Sequence, residues 1–141
     1  MKTKPINILL VEDNPGDIRL AREALKEGNI DGTLHVVRDG LEAFQFLRRE
    51  HKFQDAAKPD LVLLDLHMPG KNGFDTLSDI KKEPALHRIP VIVLTTSKER
   101  DDILRAYDLH ANCFITKPID MGQFIDIVKE IINFWVLKVD Q

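Results

Sequence analysis

Two apolar runs in this chain end in acids. Leu61-Val62-Leu63-Leu64 stops at Asp65, and Ile8-Leu9-Leu10-Val11 runs into Glu12-Asp13. An apolar run of that length reads as a strand buried on both faces, and its last residue sits at the mouth of a sheet. If the two strands are parallel neighbours, three carboxylates converge. Such a cluster repels itself unless a cation or protons neutralise it. The chemistry it points to is therefore cation binding or proton sharing. Two other strand ends carry polar groups, Thr95-Thr96 and Lys117-Pro118.

The elements that must position these groups alternate five times. Strands are expected at Asn7 to Val11, Leu34 to Val37, Leu61 to Asp65, Val91 to Thr95 and Cys113 to Thr116. The first helix starts at Asn14-Pro15-Gly16-Asp17, where Asn14 can cap, Pro15 suits the first helical position and Asp17 complements the helix dipole. It runs to about Glu27 and stops at Gly28-Asn29. A second helix is expected over Leu41 to Arg49, with Leu41, Phe44 and Leu47 on one face. Residues 50 to 58 are mostly polar and read as a mobile loop. Helices three and four are expected over Phe74 to Lys82 and Glu99 to Leu109, and a fifth from Asp120 onward. This (βα)5 alternation predicts an α/β fold, a doubly wound five-stranded parallel sheet with helices on both faces. Ligands in such sheets bind at the carboxyl ends of the strands, which is where the polar groups above fall.

Composition narrows the function further. At 141 residues the chain is expected to be one domain, residues 1–141, with 43% apolar residues. A net charge of -3 gives no basic field for nucleic acid or anionic membrane. No apolar run approaches a bilayer span, and no signal-peptide pattern opens the chain. Cys113 is the only cysteine, which excludes an intramolecular disulfide and suits a reducing cytoplasm. Its apolar surroundings make it a buried hydrophobe rather than a reactive thiol.

Four stretches, in this order and at these spacings, carry a resemblance. They are Leu10-Val11-Glu12-Asp13-Asn14, Asp65-Leu66-His67-Met68-Pro69-Gly70-Lys71-Asn72-Gly73, Pro90-Val91-Ile92-Val93-Leu94-Thr95 and Thr116-Lys117-Pro118. From about Ile6 to Ile132 the chain resembles the receiver domain of two-component response regulators, the CheY-like (flavodoxin-like) fold. That resemblance implies Asp65 as phosphoacceptor, its donor a phosphohistidine on a sensor histidine kinase. It implies Mg²⁺ (or Mn²⁺) on Asp13 and Asp65, with Glu12 acting through a water and the backbone carbonyl of His67 as a further ligand. Thr95 and Lys117 would each meet a phosphoryl oxygen, and the Lys117-Pro118 bond would be cis. Thr95 and Phe114 match the family's switch positions. The protein would then be a signalling switch, with only self-phosphotransfer and autodephosphorylation as chemistry.

Each residue also has a plainer reading. Asp65 could be a helix cap, Lys117 a surface lysine and Thr95 a β-branched strand residue. His67 could tune phosphoryl lifetime or be an ordinary loop residue. A phosphohydrolase with an aspartyl nucleophile would carry an acid two residues after it, where His67 stands. No phosphate-cradling glycine loop marks a nucleotide enzyme. A binding module that keeps only the fold would have no reason to hold Asp13, Asp65, Thr95 and Lys117 together.

The C-terminal helix, about residues 120–138, is more apolar than a surface helix needs. Placed at 100° per residue, its apolar side chains from Phe124 to Val139 cover an arc of roughly 200°, against a stripe of ~100° for an ordinary surface helix. The surplus around Phe134, Trp135 and Val136 suggests a homodimer interface. With Tyr107 to Lys117, the Phe134-Trp135 pair also resembles single-domain regulators that partner phytochrome-type histidine kinases. A chain ending soon after the fifth helix leaves no room for a DNA-binding module, so output is expected through protein contacts or onward phosphotransfer.

Overall fold

The computed structural model describes residues 5–66, 73–96 and 100–137. Five strands, β1 (Ile6–Val11), β2 (Gly32–Val37), β3 (Leu61–Asp65), β4 (Val91–Thr95) and β5 (Cys113–Thr116), alternate with five helices. The helices are α1 (Pro15–Glu27), α2 (Gly40–Arg48), α3 (Gly73–Lys82), α4 (Arg100–Asp108) and α5 (Met121–Ile131). The strands form one sheet in the order β2-β1-β3-β4-β5, and every pairing is parallel. Strand order therefore switches direction between β1 and β3, the two strands that end in acids.

Strand alternation divides the apolar residues into two layers. Leu9, Val11, Val62, Leu64, Val91 and Val93 pack against α2, α3 and α4. Ile8, Leu10, Leu61, Leu63, Ile92 and Leu94 pack against α1 and α5. β3 and β4 are buried along their whole length. With both faces of β3 and β4 covered, the carboxyl ends of the strands are where such a sheet meets ligands.

The helix starts are built by short polar side chains. Asn14 accepts from the backbone N–H groups of Gly16 and Asp17 at 2.9 and 3.1 Å. Asp39 accepts from Glu42 and Asp120 from Gln123, each at 2.8 Å. Gly73 opens α3 against the chain that carries Asp65. A Cβ there would lie 2.4 Å from Leu66 Cα and 2.7 Å from the Asp65 carbonyl oxygen, so only glycine admits this close return.

Three expectations need correction. The inward face of α2 is Gly40, Ala43, Phe46 and Leu47, while Leu41 is 62% exposed. Phe44 is only partly buried, with the Arg48 guanidinium 5.6 Å from its ring centre. Residues 50–58 are not featureless either. His51–Phe53 form a 3₁₀ turn, and the Phe53 ring stands 5.2 Å from that of Phe46. Finally, the C-terminal helix changes geometry. α5 is α-helical only to Ile131, and Ile132–Leu137 continue as a wider π-helix. Phe134 is 59% exposed, whereas the side chains of Trp135 and Val136 lie outside the described set. Among the described residues, no helix is long and apolar enough to cross a membrane.

Candidate functional site

Glu12 follows the last residue of β1, and Asp65 is the last residue of β3, one strand over. Parallel pairing of Val11 with Leu64 brings the two ends level. Glu12, Asp13 and Asp65 each offer a carboxylate oxygen within 4.8 Å of the others. Glu12 is fully buried and Asp65 is 5% exposed, while Asp13 is half-buried. The cluster thus has two walled sides and one side toward solvent.

Lys117, just past the end of β5, reaches back into this cluster. Its backbone N–H donates to the Thr95 carbonyl at 2.7 Å, which fixes where its side chain begins. Its Nζ lies 2.6 Å from Glu12 Oε1, 2.8 Å from Asp17 Oδ2 and 3.6 Å from Asp65 Oδ2. The first two are charge-assisted hydrogen bonds; the third is too long to be one. The Lys117–Pro118 peptide bond is cis. Thr95 closes β4 between these groups, wholly buried.

The electrostatics follow from burial and crowding. Burial, then the hydrogen bond with Asp65, push the Glu12 carboxyl up to about 7; Lys117 pulls it the other way. Lys117 is disfavoured as a cation by burial, yet the hydrogen bonds it donates to Asp17 and Glu12 and the charges of Asp65 and Glu12 outweigh this. They hold its pKa above the usual lysine value. Among the described residues, one ammonium stands among four carboxyl groups, those of Glu12, Asp13, Asp17 and Asp65.

That donor set fits a hard divalent cation. It is made only of oxygen, and a spread of 4.8 Å matches the roughly 4–5 Å across a coordination sphere with metal–oxygen distances of about 2.0–2.6 Å. Glu12, Asp13 and Asp65 are the residues that would hold it. His67, whose backbone carbonyl the resemblance adds to the set, lies outside the described residues.

The remaining candidates are dispersed. Phe114 on β5 is half-buried against the layer formed by α2, α3 and α4. Phe134 lies beyond α5, in the π-helical segment. Cys113 is half-buried, and burial pushes its thiol up, which makes it a weak nucleophile. Asp17 is the residue that sequence reasoning missed. Its place in the first turn of α1 was explained by the helix dipole. The same place, directly above the end of β1, was the available signal that its carboxylate could enter the site.

An α/β sheet with acids converging at its topological switch and a buried lysine beside them defines a receiver-type signalling module. The family model described as the response regulator receiver domain matches residues 8–129. The chain is 45% identical over 132 residues to response regulator Rcp1 of Synechocystis sp., covering 94% of this chain and 90% of that one. It is similar to the crystal structure of the phosphorylated cyanobacterial phytochrome response regulator RcpA, with 48% identity, a TM-score of 0.83 and 96% of each chain covered. It is also similar to the Mn²⁺-bound form of Rcp1, with 44% identity, a TM-score of 0.81 and coverage of 94% and 96%. The chain belongs to the response regulator receiver family.

Proposed function

We propose that Asp65 accepts a phosphoryl group from a phosphohistidine on a sensor histidine kinase. The observation that carries this reading is one carboxylate at a strand end beside two more carboxylates and a buried ammonium. In the transfer, the phosphorus–nitrogen bond breaks as a bond forms to an Asp65 carboxylate oxygen. The imidazole leaves with the electron pair and takes up a proton. Hydrolysis later places water on the phosphorus, releases phosphate and restores the carboxylate.

The chain's own groups divide the work. Glu12, Asp13 and Asp65 would hold Mg²⁺ or Mn²⁺, with the His67 carbonyl as a further ligand. A bound divalent cation offsets the negative charge of the transferring phosphoryl oxygens. Lys117 and Thr95 present a cation and a hydroxyl to the other phosphoryl oxygens. Thr95 and Phe114 form the switch that passes the change to α4 and β5. The phosphoryl group can act only through its different affinity for two states of this region.

The wider setting rests on the relatives. Similarity to the cyanobacterial phytochrome response regulator RcpA supports a phytochrome-type kinase as the donor. Similarity to Mn²⁺-bound Rcp1 supports a divalent cation at the acidic cluster. Residues 1–141 would act as one receiver unit in the cytoplasm, signalling through protein contacts. Two copies would associate through the C-terminal segment around Phe134, Trp135 and Val136, where the Phe134 ring is largely in solvent.

Intact mass after incubation with acetyl phosphate and Mg²⁺ tests the central claim. The parent should gain one phosphoryl group, and Asp65→Asn none. Labelling that survives in the variant removes Asp65 from the role.

A further inference from the structure

Lys117 carries three N–H donors in a tetrahedral fork. Two of its directions are taken by Glu12 Oε1 at 2.6 Å and Asp17 Oδ2 at 2.8 Å. Asp65 Oδ2 stands 3.6 Å from the same Nζ. An ammonium held at two corners has its third direction fixed, and the carboxylate proposed to receive the phosphoryl group is the next acceptor within reach of it. A gap of 3.6 Å is longer than a hydrogen bond and leaves the third donor uncommitted there. We propose that Asp17 is a positioning residue that aims the Lys117 ammonium at the phosphoryl oxygens on Asp65.

Asp17 suits this task better than Glu12 does. Glu12 belongs to the acidic cluster and would turn toward a cation. Asp17 lies outside that cluster, in the first turn of α1, which Asn14 caps and Pro15 begins. Its backbone N–H is itself tied to Asn14 Oδ1 at 3.1 Å, so the carboxylate projects from a fixed turn. It is 26% exposed, against 1% for Glu12, so it is anchored at the rim. When a cation draws Glu12 away, Asp17 remains as the acceptor that keeps a buried lysine charged and aimed. Without it, the ammonium has one anchor, or none once a cation binds. An ångström of misplacement at a reacting group costs rate far out of proportion to its size.

This inference rests on the phosphoacceptor reading, and the experiment separates the two. Mg²⁺-dependent labelling by acetyl phosphate is timed for the parent, Asp17→Ala and Asp17→Asn. Asp17→Ala should label about tenfold more slowly, while Asp17→Asn, which keeps an oxygen acceptor, should recover to within about twofold of the parent. Both variants lose the same charge, so a role confined to the helix dipole would slow them equally and would overturn the proposal. The second readout needs no cation and no phosphodonor. In protein with ¹⁵N-labelled lysine, the Lys117 ammonium should give a slowly exchanging signal in the parent and in Asp17→Asn, and a signal that exchanges several-fold faster in Asp17→Ala, where Glu12 alone remains. Parental labelling and an intact signal in Asp17→Ala overturn the inference. If Asp17→Ala does not fold, Asp17→Ser replaces it, with a side chain too short to reach Lys117. A parent that takes no label overturns the phosphoacceptor reading, while the ammonium signal still reports whether Asp17 holds Lys117.

Discussion

Lys81, at the end of α3, shows how a partly buried charge enters the stability of this chain. Its Nζ donates to the Ile89 carbonyl at 2.8 Å, to Asn112 Oδ1 at 3.1 Å and to the His87 carbonyl at 3.3 Å. It thereby ties α3 to the chain that enters β4 and to the loop before β5. Burial pushes its pKa down to about 8. The unfolded chain then binds the proton more tightly than the folded one, so stability rises as pH climbs from about 8 toward 10.5 and is flat below that window. Lys81→Met loses the donor at every pH, a cost of about 1–3 kcal/mol, and also loses this titration. Between pH 7.5 and 9.5 the parent should therefore gain about 1–2 kcal/mol over the variant, read from urea midpoints at each pH. A gap that stays constant refutes the depressed value. At this same scale, the acids at the ends of β1 and β3 were readable because each terminates an unbroken apolar run. Asp17 was not, because a helix-start aspartate has a sufficient local explanation, and only the fold brings Lys117 back to it.

At the scale of elements, the strands are readable to within two residues at either end, because β3 and β4 are unbroken apolar runs up to their last residue; the two-residue difference falls on β2, where Gly32 and Thr33 are exposed. The α2 face was misread for a physical reason. A three-residue spacing puts Leu41, Phe44 and Leu47 on one face, but the face that meets the core runs through Gly40, Ala43, Phe46 and Leu47, the last two lying three and four residues beyond Ala43. The 3₁₀ turn at His51–Phe53 was masked by polar neighbours, although Phe53 anchors it to the core. The C-terminal projection held only as far as Ile131. Beyond it the π-helix turns each residue by less than 100°, so the apolar surplus no longer follows the arc drawn from an α-helix. The proposed dimer rests on this segment. Sedimentation velocity across a concentration series should show self-association of the parent and a dissociation constant at least about tenfold weaker for Trp135→Ala, as expected for an aromatic anchor. An unchanged profile removes this segment from the interface.

For the whole molecule, what matters is that Asp65, Thr95 and Lys117 close or follow three consecutive strands, β3, β4 and β5. Thr95 is paired with Thr116, and its carbonyl accepts from the Lys117 N–H. Phe114 is paired with Val93 on the same ladder. A change at Asp65 can therefore reach β5 and α4 across the end of β4, or directly through Lys117, whose Nζ is 3.6 Å from Asp65. The layers on either side of the sheet are close-packed, and such interiors change between discrete arrangements rather than deform by degrees. Thr95 is the polar side chain at that crossing, fully buried. If it is the relay, Thr95→Ala should still take a phosphoryl group on Asp65, about tenfold more slowly, but should not pass the change on. Hydrogen exchange measured with and without acetyl phosphate reads this directly. In the parent, peptides spanning α4 and β5 should change their protection on labelling. In Thr95→Ala, at matched phosphoryl occupancy, most of that change should vanish. An equal response in both proteins would mean that the signal leaves Asp65 by another route, with Lys117 the remaining link to β5.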